Sequence, residues 1–572
     1  MKPLFSASLT AAKAQVNSSP RRRGCPVGRC AVIMGAVILA LVLRLPRLHQ
    51  RPMHTDEAVH AAKFGRLLEQ GVYTYDPYEF HGPTLNYLTL IPAWLSSAKK
   101  LTEIDEFTAR IVPVFFGLLL VLLSLLMVHG LGPGVTVCAV LLTAISPAMV
   151  FYSRYYIQET LLVCFSFASI VCGYRYTQSK NIIWVLLAGM SLGLMHATKE
   201  TSIIAFGSML LALLLVLLTR KRNGGLKPTL RNFVKCRVGL APPWNCIVTV
   251  ATAAIVSALF YSSFFTNLNG IWDSFRTYAT YFDRATSNSL HFHPWYYYLK
   301  MLIYSRYAAG PIWSEALIVV LAVVGFVVAM RAKGLPGVNF DLLKFIAFYT
   351  LIMTVVYSAI RHKTPWCMLG FLHGMILLAA VGAVTLVKLA PDVLPRLIVI
   401  CLLIESSIHL AWQAYLANYK YYADPRNPYV YAHTTMDIFP MVQRVQEIAK
   451  VHEDGNKLEI HFICPDEHDF WPFPWYLRSF PNVGYWTTVT DRVVCASVII
   501  ASPNVEQELL TKLYGLPPPG QKKLYVPLFD TYMELRPQVE LRGYVPKDLW
   551  DRFQQTSASS VEPHQAQLTQ SQ

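Results

Sequence analysis

Five short polar stretches carry residue types that can do chemistry: HTDEAVH (54–60), SRYYIQET (153–160), HATKET (196–201), HFHPWYYYL (291–299) and RHKTPWC (361–367). A carboxylate such as Asp56 or Glu57, set beside His54 and His60, can take a proton from a hydroxyl at neutral pH. The cations Arg361 and Lys363 sit two residues apart and can clamp a phosphate, and Arg154 is a further cation expected to bind substrate. Glu79, His81, His291 and His293 are nitrogen and oxygen donors of the kind that hold a divalent metal, although no local ligand spacing joins them. The sequence has no phosphate-cradling glycine loop, no Ser-His-Asp signature and no CxxC pair.

The elements that must position these stretches belong to a membrane. The chain has 572 residues, 54% hydrophobic and 15% charged, far from the composition of a soluble domain. A bilayer-crossing helix needs about 20 apolar residues. Eleven runs meet that length, near 31–49, 107–129, 134–152, 157–177, 182–198, 202–219, 243–265, 311–330, 342–360, 366–388 and 394–414. The formal charge of +16 sits in clusters between these runs, the arrangement that sets membrane orientation, and no nucleic acid is expected as a partner. The first run follows RRRGCPVGR without a small-residue cleavage site and reads as an uncleaved span.

Lys and Arg concentrate in residues 1–30 and in TRKRNGGLKPTLRNFVKCR, which has basic residues and no acid. Both are therefore expected in the cytoplasm. All five polar stretches then fall at the outer membrane face, where ionisable groups beside hydrocarbon usually line a cavity. A reporter fused after residue 225 is expected in the cytoplasm and one after residue 430 outside, and matching sides would overturn the eleven-span topology.

Outside the cytoplasm there is no pool of nucleotide sugar, so group transfer draws on a donor already in the membrane, such as a polyprenyl-phosphate sugar. Its phosphate needs cations, its acceptor hydroxyl needs a carboxylate base, and its tail needs a groove between helices. Residues 416–550 turn polar and read as a small extracytoplasmic α/β domain, with a helix over 438–452, strands at 457–464 and 494–502, and a helix from Pro503 to Gly515. Residues 551–572 read as a disordered tail.

The stretches DEAVHAAKFGRLLEQGVYTYDPYEFHGPTLNYLTL, SRYYIQETLL, GLMHATKET, HPWYYYL, KTPWC and NPYVYAHTT resemble the GT-C membrane glycosyltransferases. This superfamily includes the protein O-mannosyltransferases and the lipid A aminoarabinose transferases. The wording is most similar to a bacterial and archaeal, flippase-activity-associated glycosyltransferase-39-like branch. The resemblance implies an α-helical polytopic protein of GT-C type with about eleven transmembrane helices, spanning 31–415 with a first outer loop at 50–106, in the cytoplasmic membrane.

The resemblance also implies that Asp56 is the general base, with Glu57 supporting it and Glu159 facing the same cavity. Lys199 would meet the lipid phosphate, while His81 and His291 would stand where relatives hold a metal, with His replacing a glutamate. Three of these residues also have a simpler use: Asp56 as a helix cap, Glu159 paired with Arg154, and Lys199 reaching to the headgroups. The implied reaction is inverting transfer of a sugar from a polyprenyl phosphate to a protein or glycolipid acceptor. The alternative is a flippase-associated protein that binds such lipids without cleaving them.

Overall fold

The computed structural model describes residues 27–78, 81–219, 243–286, 291–332 and 335–557. In chain order its principal helices are α1 (Val27–Arg44), α2 (Thr55–Gln70), α3 (Thr84–Leu95), α4 (Glu106–Leu123), α5 (Pro133–Ile145), α6 (Pro147–Tyr152), α7 (Glu159–Ser179), α8 (Ile182–Thr198), α9 (Ser202–Thr219), α10 (Pro243–Tyr261), α11 (Asn269–Thr286), α12 (Tyr297–Ile303), α13 (Ala316–Arg331), α14 (Phe340–Ala359), α15 (Leu369–Leu389) and α16 (Val393–Tyr415). Each of the eleven apolar runs is helical. Among the described residues, seven helices are long and apolar enough to cross a bilayer, and α5, α8 and α13 are shorter apolar helices.

Proline moves two of the expected boundaries. The first run stops at Arg44 rather than 49, because Pro46 disfavours helix at the residue before it. The run at 134–152 is two helices, since Ser146 turns the chain and caps a new start at Pro147. Arg44 is 1% exposed and uses this break, donating to the carbonyls of Ala144 at 2.8 Å and Thr143 at 3.0 Å.

The bundle is built around α15, whose segment Pro365–Leu389 has 83% of its apolar window buried, whereas the windows in α10 and α16 have 6%. Helices α7, α14 and α13 pack against this axis, and α10 and α16 form the periphery that faces lipid.

Beyond α16 lie α17 (Ile438–Val451), β1 (Ile460–Ile463), β2 (Val483–Trp486), β3 (Val498–Ala501), α18 (Glu506–Gly515), β4 (Tyr525–Pro527), β5 (Met533–Arg536) and β6 (Val539–Pro546). The sheet runs β2-β1-β3-β6-β4, with β5 pairing β6. Strands β1, β2 and β3 are parallel and β6 is antiparallel to β3. Ile460, Phe462, Val498 and Ile500 pack with α17 on one face, and Ile463, Ile499 and Ala501 pack with α18 on the other. Cys464 is buried, Cys495 is exposed, and both are free thiols.

This unit seats on the membrane bundle beside α2. Tyr476 accepts the Met53 N–H at 2.9 Å, Trp475 donates to Glu106 at 2.8 Å, and Arg536 donates to Thr55 at 3.1 Å. CPDEHDFWP (464–472) lies at this seam, where Asp469 pairs with Arg536.

Candidate functional site

The N-terminus of α2 is built by a capping box whose cap is His54, not Asp56. His54 Nδ1 accepts the Asp56 N–H at 3.1 Å, and the Glu57 carboxylate accepts the His54 N–H at 3.0 Å, satisfying two helix-end donors reciprocally. Glu57, expected beside Asp56 in catalysis, is instead an anchor. It is 0% exposed and accepts both Nε and Nη2 of Arg110 at 2.7 Å and the Tyr156 N–H at 2.8 Å. Burial alone would push its carboxyl up, but Arg110 and Arg51 outweigh that and hold it at about 2. Arg110 also ties down the carbonyls of Leu48, Arg51 and Pro52 at 2.6, 2.8 and 3.0 Å.

The consequence is a rigid turn from which Asp56 points away. Its side chain is 41% exposed, and one carboxylate oxygen lies 3.9 Å from His54 Nδ1. Of the two acids, only Asp56 has oxygens open to a substrate.

Tyr431 stands opposite. Its hydroxyl meets His291 Nδ1 at 2.6 Å and His293 Nε2 at 3.2 Å, and its carbonyl meets His54 Nε2 at 3.1 Å. Since His54 Nδ1 already accepts a backbone N–H, the His54 proton belongs on Nε2. Burial pushes the Tyr431 hydroxyl up to about 12. Burial also pushes His291 down, against the nearby Asp56 charge, and His293 is lowered by burial, His291 and Lys363. His293 stacks on Tyr297 at 4.1 Å, and Trp366 stands edge-on to His54 at 5.6 Å. Tyr431 lies in NPYVYAHTT, where a tyrosine at a membrane edge reads most simply as an interfacial anchor; nothing local marks it as the hub of three histidines.

Lys199 and Glu159 are both buried and form an ion pair, so Glu159 does not pair with Arg154 and Lys199 does not reach to the headgroups. They line a cleft with Thr201, Tyr357, Trp366 and Cys367. A second cavity shares Val163, Ser166, Tyr349 and Gly370 with it and continues past Phe167 to His373 and Leu377. The two adjoin between α7, α14 and α15 as one groove, polar at the Lys199 end and mainly apolar toward Leu377. Trp366 belongs both to the groove wall and to the surroundings of His54, joining the groove to the Asp56 turn.

Three other expected ligands are placed elsewhere. Arg154 donates to the carbonyls of Arg44 at 2.9 Å and Arg47 at 3.3 Å and to the Tyr419 hydroxyl at 3.1 Å, closing the end of α1 rather than facing a ligand. Lys363 is 1% exposed and donates to the carbonyls of Ile360 and His293, so it braces its loop instead of clamping phosphate. Arg361 is exposed, and its carbonyl accepts the His293 N–H at 3.1 Å.

His81 meets Glu200 at 2.8 Å, and Tyr75 donates to the same carboxylate at 3.2 Å. Gly82 permits this, because a β-carbon there would come within 2.2 Å of the Ala197 carbonyl oxygen. His81 is thus committed to Glu200 and His291 to Tyr431, while Glu79 lies outside the described residues. Among the described residues, no group of three His, Cys, Asp or Glu side chains could hold a metal ion. Among the described residues the expected donors do not converge on one point.

Residues 89–235 match the family model of dolichyl-phosphate-mannose-protein mannosyltransferases, a segment that contains Arg110, Arg154, Glu159 and Lys199 but not Asp56. No curated protein sequence matches the chain. Among solved structures, the chain is similar to ArnT from Cupriavidus metallidurans bound to undecaprenyl phosphate, at TM-score 0.59 and 13% identity, over 91% of this chain and 98% of that one. It is also similar to the Archaeoglobus fulgidus oligosaccharyltransferase in its apo form, at TM-score 0.54 and 10% identity, over 84% and 70%. That enzyme's complex with zinc and sulfate aligns at TM-score 0.50 and 12% identity, over 90% and 73%. The chain shares its fold with ArnT and with the oligosaccharyltransferase.

Proposed function

We propose that this protein transfers a sugar from a polyprenyl-phosphate donor to an acceptor hydroxyl at the outer face of the cytoplasmic membrane, with inversion. The observation that carries the proposal is the junction across Trp366. On one side is a half-exposed carboxylate fixed on a rigid helix start, and on the other a buried lysine at the polar end of a mainly apolar groove.

In this reading the prenyl chain lies along the groove toward Leu377, and its phosphate shares the Lys199 ammonium with Glu159. The acceptor oxygen attacks the anomeric carbon as the bond from that carbon to the phosphate oxygen breaks. The bonding electrons leave with the phosphate, where Lys199 offsets the charge, and the hydroxyl proton passes to Asp56. A single displacement inverts the anomeric centre. His291, His293 and Tyr431 stand where they would bind sugar or acceptor hydroxyls. The acceptor is a protein or glycolipid reaching the seam between α2 and the C-terminal sheet, and residues 416–550 form the extracytoplasmic domain.

Lys199 tests the donor half. Lys199→Met alone leaves Glu159 buried without a partner and is expected to lower expression as well as activity. The double variant Lys199→Met with Glu159→Gln removes both charges. It should regain expression while the donor KM rises about 10-fold, the loss of one charge-assisted hydrogen bond. An unchanged donor KM in the double variant would remove the phosphate from this position.

Tyr431→Phe tests the histidine hub. It keeps the ring and the carbonyl that holds His54 and removes only the hydroxyl shared by His291 and His293. Acceptor KM is expected to rise with donor KM unchanged, and the opposite split would place the hub on the donor.

A further inference from the structure

Ser263, Phe264 and Phe265 follow α10 with φ of 51, 54 and 71°, three successive non-glycine residues in the left-handed region that disfavours L side chains. This turn folds α11 back on the end of α10, so closely that a β-carbon on Gly270 would lie 2.0 Å from the Tyr261 carbonyl oxygen. The strained turn presents its own apolar side chains outward: Phe264, Phe265 and Leu268 are 52%, 65% and 62% exposed.

Helix α11 is amphipathic in the reverse sense to a helix that faces water. Its buried positions are polar, with Ser274 and Thr277 at 2% and 1% exposure, while Trp272 and Phe275 on its other side are 72% and 57% exposed. The polar side is used: Thr277 bonds Tyr75, which in turn holds Glu200, and Ser263 donates to the Tyr73 carbonyl. The aromatic side continues, through the turn, the exposed face of α10 formed by Ile247, Val250 and Ile255. Arg276 sits among these aromatics, paired with Asp273 one turn back at 3.2 Å, a cation placed to reach lipid headgroups from an interfacial helix.

We infer that α11 lies in the membrane–water interface of the leaflet on the site's side, with Trp272, Phe275 and the Phe264–Leu268 turn in the acyl boundary and its polar side roofing the Tyr75–Glu200–His81 cluster. The occupant is lipid because the aromatic surface is continuous with the lipid-facing side of α10, and a helix with Trp and Phe on one face and polar residues on the other has the pattern of an interfacial helix. The position of the bilayer thereby sets the position of Glu200, next in sequence to Lys199.

The test uses the full chain in phosphatidylcholine vesicles, with the photoreactive residue benzoylphenylalanine replacing Trp272, and the same replacement at Ile247 on α10 as the lipid-facing reference. Irradiation is expected to give the Trp272 variant a mass increase of one phospholipid, as at Ile247. A covalent dimer would put a second copy of the chain on this face. The absence of any adduct alongside a lipid adduct at Ile247 would put water there. Either result overturns the inference. If replacement at 272 prevents folding, the same residue at Leu268 or Phe275 gives the same readings. None of these outcomes depends on sugar transfer.

Discussion

Asp56→Asn is expected to fold, insert and bind polyprenyl-phosphate sugar while transfer falls by about 100-fold or more, the range for losing a positioned base. The capping box around it gives this variant its value. His54 and Glu57 hold the start of α2 through the Asp56 backbone N–H, which the substitution keeps, and the Asp56 side chain itself caps nothing. Asparagine keeps the shape and cannot accept a proton. Measuring donor binding and transfer on the same preparation separates the enzyme from a protein that only holds the lipid-linked sugar. Full transfer by the asparagine variant would remove Asp56 as the base.

The neighbouring acid should behave in the opposite way. Glu57→Gln leaves Arg110 buried and unpaired, and the expected loss is about 3–5 kcal/mol of stability, seen as low expression and a lowered thermal midpoint, with activity lost only because the fold is. The pH dependence follows from the same geometry. The Glu57 carboxyl is held at about 2 against an ordinary 4.5, so its contribution, about 3 kcal/mol, is fully present above pH 4.5. It is lost as pH falls from 4.5 toward 2. A Glu57→Gln protein that expresses and melts like the parent, with no change in acid sensitivity, would contradict the anchor role.

The contrast between these two acids marks what a sequence can disclose. HTDEAVH identifies a helix start with two carboxylates, because caps and acids at a first turn are local features. Which acid faces solvent depends on Arg110, 53 positions away, and on the Tyr156 backbone, 99 away. The Lys199–Glu159 pair and the His81–Glu200 pair are hidden for the same reason, their separations being 40 and 119 positions. Lys363, with Arg361, reads as a phosphate clamp because two cations at an outer helix end are costly unless an anion answers them, and Arg154 reads as a further substrate cation. For Lys363 and Arg154, backbone carbonyls do the answering, and carbonyls leave no trace in a pattern of side chains.

The apolar runs were legible because length and hydropathy are carried by contiguous residues, and the boundary errors fall at Pro46 and Pro147, where a local breaker competes with a continuous apolar signal. In the C-terminal unit, α17, α18 and strands β1 and β3 followed from periodicity. Strands β2, β4 and β5, of four, three and four residues, carry too little alternation to stand out, and β6 alternates apolar and polar residues clearly only over Val539, Glu540, Leu541 and Arg542 before Gly543. Residues 551–557, expected in a disordered tail, instead belong to a helix over 547–557 whose Trp550 and Phe553 pack on the sheet core. Glu79, the basic segment 220–242, most of the basic N-terminus and residues 558–572 lie outside the described residues.

The central claim is that a lipid-linked sugar is cleaved at the Asp56–Trp366–Lys199 junction, and its most direct test is donor turnover. Purified protein in vesicles would be given a panel of polyprenyl-phosphate sugars with membrane extract as acceptor, and free polyprenyl phosphate and the anomeric configuration of the product would be followed. The account predicts release of polyprenyl phosphate by the parent protein, an inverted product, and loss of both with Asp56→Asn. Saturable donor binding with no release from any member of the panel would contradict it and leave a protein that holds such lipids without cleaving them.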